Sequence, residues 1–70
     1  MSAELAITVN GELMRLPAGA SVADLLERLR IATPRVAVER NREILPKADY
    51  LGTPLVDGDV FEVVEFVGGG

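Results

Sequence analysis

The segment Val60-Phe61-Glu62-Val63-Val64-Glu65-Phe66-Val67 constrains this chain more than any other, because it is apolar on both faces of an extended strand. Phe61 and Val63 fall on one side, and Val60, Val64 and Phe66 on the other. Such a strand belongs in the interior of a sheet, with one face covered by a second layer. A chain of 70 residues has room for one core only, and buries roughly 60% of its unfolded surface. A deep, walled cavity is therefore not expected. Apolar residues at 49% and charged residues at 26% are the balance of a globular domain, not of a disordered segment.

The elements that cover this strand are legible upstream. Leu5, Ile7 and Val9 alternate with smaller or polar residues, Asn10-Gly11 follows, and Met14 and Leu16 then alternate in turn. An Asn-Gly pair between alternating runs predicts a two-residue hairpin, since both turn positions need positive φ. That turn sets Ile7 against Met14 and Leu5 against Leu16. Pro17-Ala18-Gly19 stops the second strand, and Ser21 stands three residues before Asp24, the spacing of a capping box with Asp in place of Glu. Val22, Leu25, Leu26 and Leu29 recur at helical spacing and predict one apolar stripe, with Glu27, Arg28 and Arg30 facing water. Thr33-Pro34 is the expected end of the helix, because a residue before proline is pushed out of helical geometry.

Val36 and Val38 mark a third strand over Arg35 to Arg40, Asn41-Arg42 a turn, and Glu43-Ile44-Leu45 a short strand closed by Pro46. Residues 47–56 show no period and are expected as a loop with one short helical turn. Asp57-Gly58-Asp59 predicts a tight turn into the last strand. The order strand, strand, helix, strand, short strand, strand is that of an α+β β-grasp. That fold is a mixed sheet of four to five strands with one main helix packed on one face, the first and last strands lying parallel at its centre. Residues 1–67 form this domain, and residues 68–70 are expected as a flexible glycine tail.

Composition removes several chemistries. The chain has neither cysteine nor histidine, which excludes thiol nucleophiles, imidazole bases and the usual zinc ligand sets. Its apolar runs fall far short of the roughly 20 residues of a membrane span, and the N-terminus lacks a basic region followed by an apolar stretch. No membrane is expected as partner, and the location expected is the cytoplasm. Eleven acidic against seven basic residues give a net charge of -4, which argues against nucleic acid and for a basic protein surface. The same charge also serves plain solubility.

Three glycines, Gly68-Gly69-Gly70, directly follow the last strand. Each costs roughly 0.5–1 kcal/mol more than alanine to order, so the expected tail is mobile in the free protein. Extended, it projects roughly 10 Å at about 3.3–3.6 Å per residue, and without Cβ atoms it can thread a narrow cleft. It delivers a carboxylate. A carboxylate with a reference pKa of about 3.3–3.7 is ionised at neutral pH and a poor electrophile, so it needs activation. Adenylation followed by a sulfur nucleophile would yield a thiocarboxylate. The chain has no phosphate-cradling loop, so no cofactor is expected on it and ATP falls to a partner. A frayed terminus is the other reading of such a tail.

At this point the sequence resembles the ThiS family of sulfur carriers of thiamine biosynthesis along nearly its whole length. The resemblance lies in Ile7-Thr8-Val9-Asn10-Gly11-Glu12, Ser21-Val22-Ala23-Asp24-Leu25-Leu26, Val38-Glu39-Arg40-Asn41-Arg42-Glu43-Ile44-Leu45-Pro46, and Asp57-Gly58-Asp59 ahead of the final strand and glycines. It implies that Gly70, preceded by Gly69, is adenylated by a ThiF-type enzyme related to ubiquitin-activating enzymes. The residue then becomes a thiocarboxylate with sulfur from a donor protein and passes that sulfur to a ThiG-type thiazole synthase. The chain itself would be a protein co-substrate and not an enzyme. Arg42 stands where the family commonly has glycine, which predicts a turn of different type there, and three glycines end the chain where two would suffice.

Other residues carry competing readings. Asp57 and Asp59 could pair for metal or acid–base work, but beside a glycine before a strand they read as turn residues. Lys47 could be a nucleophile or modification site, but with nothing to desolvate it a surface lysine is expected. Val64 and Phe66, on the outward face of the last strand, are candidate partner-binding residues, unless a loop covers them. Within the same class stands the small subunit of molybdopterin synthase, another carrier with a terminal glycine thiocarboxylate. It often has a proline-containing stretch before its glycines, where this chain has Phe66-Val67. A ubiquitin-like modifier without sulfur chemistry is the reading from a different class.

Overall fold

The structure, a computed structural model, describes residues 3–66. Strands β1 (Glu4–Val9) and β2 (Glu12–Pro17) pair antiparallel with Ile7 opposite Met14 and Leu5 opposite Leu16, the predicted register. Their turn has φ of 49° at Asn10 and 84° at Gly11. Asparagine and glycine tolerate this left-handed pair, and its twist matches that of the two strands. Ile7, Val9 and Leu16 are buried, while Leu5 and Met14 pack at the margin of the core.

Helix α1 (Val22–Arg28) starts at the expected capping box. The Asp24 amide donates to Ser21 Oγ at 3.1 Å and the Ser21 amide to Asp24 Oδ2 at 2.8 Å. Two further N-terminal amides are satisfied from the loop read as aperiodic, Val22 donating to the Thr53 carbonyl and Ala23 to that of Tyr50. Val22, Leu25 and Leu26 form the buried stripe, with Leu29 partly buried beside them. The helix does not run to Thr33-Pro34. Arg30 adopts φ of 61°, its amide donates to the Glu27 carbonyl, and the Ile31 amide reaches back to that of Leu26. These two bonds are a Schellman closure, which satisfies the terminal carbonyls and turns Ile31 onto the core. Glycine is the usual residue at the left-handed position, so arginine gave no signal.

Strands β3 (Val36–Arg40) and β4 (Glu43–Ile44) are joined by Asn41-Arg42. This turn does not differ in type: φ is 51° at Asn41 and 71° at Arg42, the same left-handed pair as at Asn10-Gly11. Arginine carries there the strain that glycine would avoid. A 3-10 turn, Lys47–Asp49, occupies the loop as expected.

Strand β5 (Val60–Glu65) completes a five-stranded sheet in the order β2-β1-β5-β3-β4. It lies parallel to β1 and antiparallel to β3, in the β-grasp arrangement. Phe61 and Val63 are buried on the face shared with Ile7, Val38, Val22 and Leu25. The strand ends at Glu65, short of the expected Val67. The Phe66 amide beyond it still donates to the Arg35 carbonyl at 2.8 Å. Val67 and the glycine tail lie outside the described residues.

Replacing Arg42 by glycine relieves a left-handed residue at the cost of a looser unfolded chain. A net stabilisation of about 0.5–1 kcal/mol is expected, read as a higher urea midpoint at unchanged m-value. A midpoint at or below that of the parent would show that Arg42 is unstrained or is compensated locally.

Candidate functional site

The entry of β5 is fixed by two aspartates, Asp57 and Asp59. Val56 to Asp59 form a turn closed by the Asp59 amide on the Val56 carbonyl at 3.0 Å, with Gly58 at φ of 88°. Asp57 Oδ1 accepts from the Ala6 amide at 2.7 Å, which ties the turn to β1. Asp59 is 6% exposed. Its carboxylate accepts from Arg40 Nε at 3.1 Å, Asn41 Nδ2 at 3.1 Å and the Val56 amide at 3.0 Å. Both aspartates are turn residues, as read. Asp59 is in addition a buried anchor between β3 and β5, a role its position beside a glycine did not reveal. Among the described residues, no group of three or more acidic or other ligating side chains could hold a metal.

The two asparagines of the hairpin turns then grip β5 from opposite flanks. The backbone ladder between β1 and β5 covers only Thr8–Val60 and Val9–Phe61, because β1 turns away at Gly11. In place of the missing strand, Asn10 Oδ1 accepts from the Val63 amide at 2.8 Å and Asn10 Nδ2 donates to the Val63 carbonyl at 3.0 Å. The carboxamide thus mimics a peptide group of a longer β1. On the other flank the Asn41 amide donates to the Val60 carbonyl, and Asn41 Oδ1 accepts from the Val60 amide at 3.0 Å.

The downstream half of β5 therefore overhangs β1. Beyond Asn10 its support comes from β3, through the Val36–Glu65 pairing and the bond from Phe66 to Arg35. The last described residue, Phe66, stands at the margin of the sheet, and Gly68, Gly69 and Gly70 follow it in sequence. These three glycines lie outside the described residues. Just before them, Val64 and Phe66 are 52% and 55% exposed, so no loop buries them. By register Val60, Leu13 and Ile44 share this outer face, and all three are exposed. In its midst Glu39 stands directly opposite Glu62, and like charges in that position destabilise a sheet.

Lys47 is exposed, and its Nζ donates to the Pro34 carbonyl, bracing the segment ahead of β3. Burial pushes the Tyr50 phenol above its ordinary value of 10.0, opposed by a backbone hydrogen bond with Val38. The phenol therefore stays neutral near pH 7 and packs against the core. No helix among the described residues is long and apolar enough to cross a membrane.

A five-stranded sheet with its first and last strands parallel at the centre, one helix across it and glycines following the last strand defines a ubiquitin-like β-grasp protein. The sequence model of the ThiS family matches residues 7–70, and the chain belongs to that family. It is 46% identical over 50 residues to the sulfur carrier protein ThiS of Bacillus subtilis, covering 71% of this chain and 76% of that one. It is 44% identical over 64 residues to the thiazole synthase of Paramagnetospirillum magneticum, covering 91% of this chain. The chain spans only 20% of the length of that thiazole synthase. The crystal structure of the thiamine biosynthesis protein ThiS from Geobacter metallireducens superimposes with a TM-score of 0.78 at 35% identity, covering 94% of this chain and 100% of that one.

Truncating Asp59 to alanine leaves Arg40, Asn41 and the Val56 amide without their shared acceptor. Unfolding free energy is expected to fall by about 2–4 kcal/mol, discounted from a fully buried pair because Arg40 is partly in water. Retention of the parent's denaturant midpoint would remove Asp59 as the anchor of β5.

Proposed function

We propose that this chain is a sulfur carrier of thiamine biosynthesis and that the carboxylate of Gly70 is its reacting group. A carboxylate oxygen of Gly70 attacks the α-phosphorus of ATP on a ThiF-type adenylating enzyme, and pyrophosphate leaves. Hydrosulfide released by a donor protein then attacks the acyl carbon, the bond from that carbon to the AMP oxygen breaks and AMP leaves, and loss of the proton yields the thiocarboxylate. A thiazole synthase of the ThiG type takes up that sulfur. The chain acts as co-substrate, and ATP is bound and aligned by the partner.

The observation that carries this reading is the overhang of β5. It brings the last described residue, Phe66, to the margin of the sheet, and the three glycines follow in sequence, so a tail there would enter a cleft while the domain stays outside. The likeness to proteins named thiazole synthase supports the thiamine branch over the molybdopterin one, since in those proteins a segment like this chain is part of the same polypeptide as the synthase. Val64 and Phe66 form the docking contact next to the tail. Glu39 and Glu62 beside them favour a partner whose apolar patch carries lysine or arginine, which relieves the like-charge pair and speeds encounter.

Incubation with the cognate adenylating enzyme, ATP and the sulfur donor should raise the intact mass by the difference between one sulfur and one oxygen. Deleting Gly70 withdraws the carboxylate by roughly 3.3–3.6 Å, and conversion should fall by about a hundredfold or more at an unchanged unfolding midpoint. Gly69→Val, which keeps length but widens the tail, should fold normally and react poorly. Phe66→Asp should weaken docking by about 2 kcal/mol while the core face of Phe61 and Val63 holds the fold. An unchanged mass contradicts the sulfur carrier, and covalent protein adducts in its place would establish a modifier. Parent affinity in Phe66→Asp would remove that residue from the interface.

A further inference from the structure

The Asn10-Gly11 pair has a chemistry that the turn and the clamp on Val63 do not use. In an Asn-Gly sequence the glycine nitrogen can attack the asparagine side chain. The Gly11 amide loses its proton and forms a bond to Asn10 Cγ, and the Cγ–Nδ2 bond breaks and ammonia leaves. Water then opens the resulting succinimide at either carbonyl, giving aspartate or isoaspartate. No oxidant or enzyme is needed. Glycine makes the attack easy because no side chain crowds its nitrogen, and nothing stands within 4 Å of where a Cβ at Gly11 would lie.

Against this reactivity stands the geometry of the carboxamide. Attack needs Asn10 Cγ turned onto the Gly11 nitrogen, but both side-chain polar atoms are held on Val63, at 2.8 and 3.0 Å. The strand they hold is central, with Phe61 and Val63 in the core. We infer that Asn10 is a latent deamidation site which the fold holds shut through Val63, and whose conversion loosens the exit end of β5. Aspartate at this position sets a carboxylate oxygen against the Val63 carbonyl where Nδ2 now donates. Isoaspartate adds a methylene to the backbone of a turn that has room for two residues only.

The chain contains its own control. Asn10 and Asn41 are its only asparagines, and it has no glutamine, so every deamidation event belongs to one of two sites. Asn41 has the same left-handed backbone and a comparable grip on Val60 and Asp59, but Arg42 follows it and crowds the attacking nitrogen. Isomerisation at Asp57-Gly58 leaves the mass unchanged and does not interfere.

The test incubates the full chain in mildly alkaline buffer, folded and in urea, and follows each asparagine by peptide mass mapping. Asn10 should deamidate at least about tenfold more slowly when folded, the factor that an opening cost of ~1.4 kcal/mol produces. In urea Asn10 should outpace Asn41. Equal rates for Asn10 in the two states would overturn the gating, and a faster Asn41 in urea would overturn the choice of site. The direct product mimic, Asn10→Asp, should lower the unfolding midpoint, and a parent-like midpoint would overturn the release of β5. The rate comparison uses the parent chain and stands even if that variant does not fold.

Discussion

β5 has to be the middle strand of a sheet that offers it only two backbone pairs on one side. Its apolar inner face, Phe61 and Val63, needs the cover of α1, and that requires a central position between β1 and β3. Yet β1 turns back at Gly11 after pairing with Val60 and Phe61 alone. The deficit is met by side chains that behave as backbone. Asn10 completes the short ladder at Val63, while on the β3 flank Asn41 pairs with Val60 and Asp59 gathers three donors at the strand's entry. A peptide group shielded from water and left without a partner is costly, and the part-buried peptide of Val63 finds its partners on the Asn10 side chain.

The short ladder has a functional side. Because β1 stops early, β5 runs on past it to the margin of the sheet, with Val64 and Phe66 exposed and the glycines following in sequence. In the proposed carrier role, rigidity at the entry of β5 and slenderness after its exit are two requirements on one strand. Polar clamps at the entry of β5 meet the first, and the glycines that follow it in sequence would meet the second.

Much of this was legible in the sequence wherever a residue type has one local use. Asn10-Gly11 gave the hairpin and its register, Ser21 with Asp24 gave the helix start, and the double apolar face of residues 60–67 gave the central strand. Reading failed where an unusual residue does a usual job. Arg30 and Arg42 occupy left-handed positions that glycine normally marks, so the helix end was set too late and the second turn was expected to differ. It also failed where a partner is distant in sequence. Nothing local shows that Asp59 will be buried against Arg40, or that Asn10 will reach Val63. The glycine tail, most legible of all in the sequence, lies outside the described residues, and its chemistry rests on the family and on the geometry that leads to it.

Amide hydrogen exchange in the native state measures the grip on β5 most directly. The Val60 and Val63 amides donate to asparagine side chains and not to a neighbouring strand. If those side chains do the work of backbone, both amides exchange only through global unfolding, with the core of the sheet. The Phe66 amide, at the sheet's margin on the Arg35 carbonyl, exchanges faster by local opening. Exchange at Val63 as fast as at Phe66 would mean that the clamp is dispensable and that β5 is held by its apolar face alone.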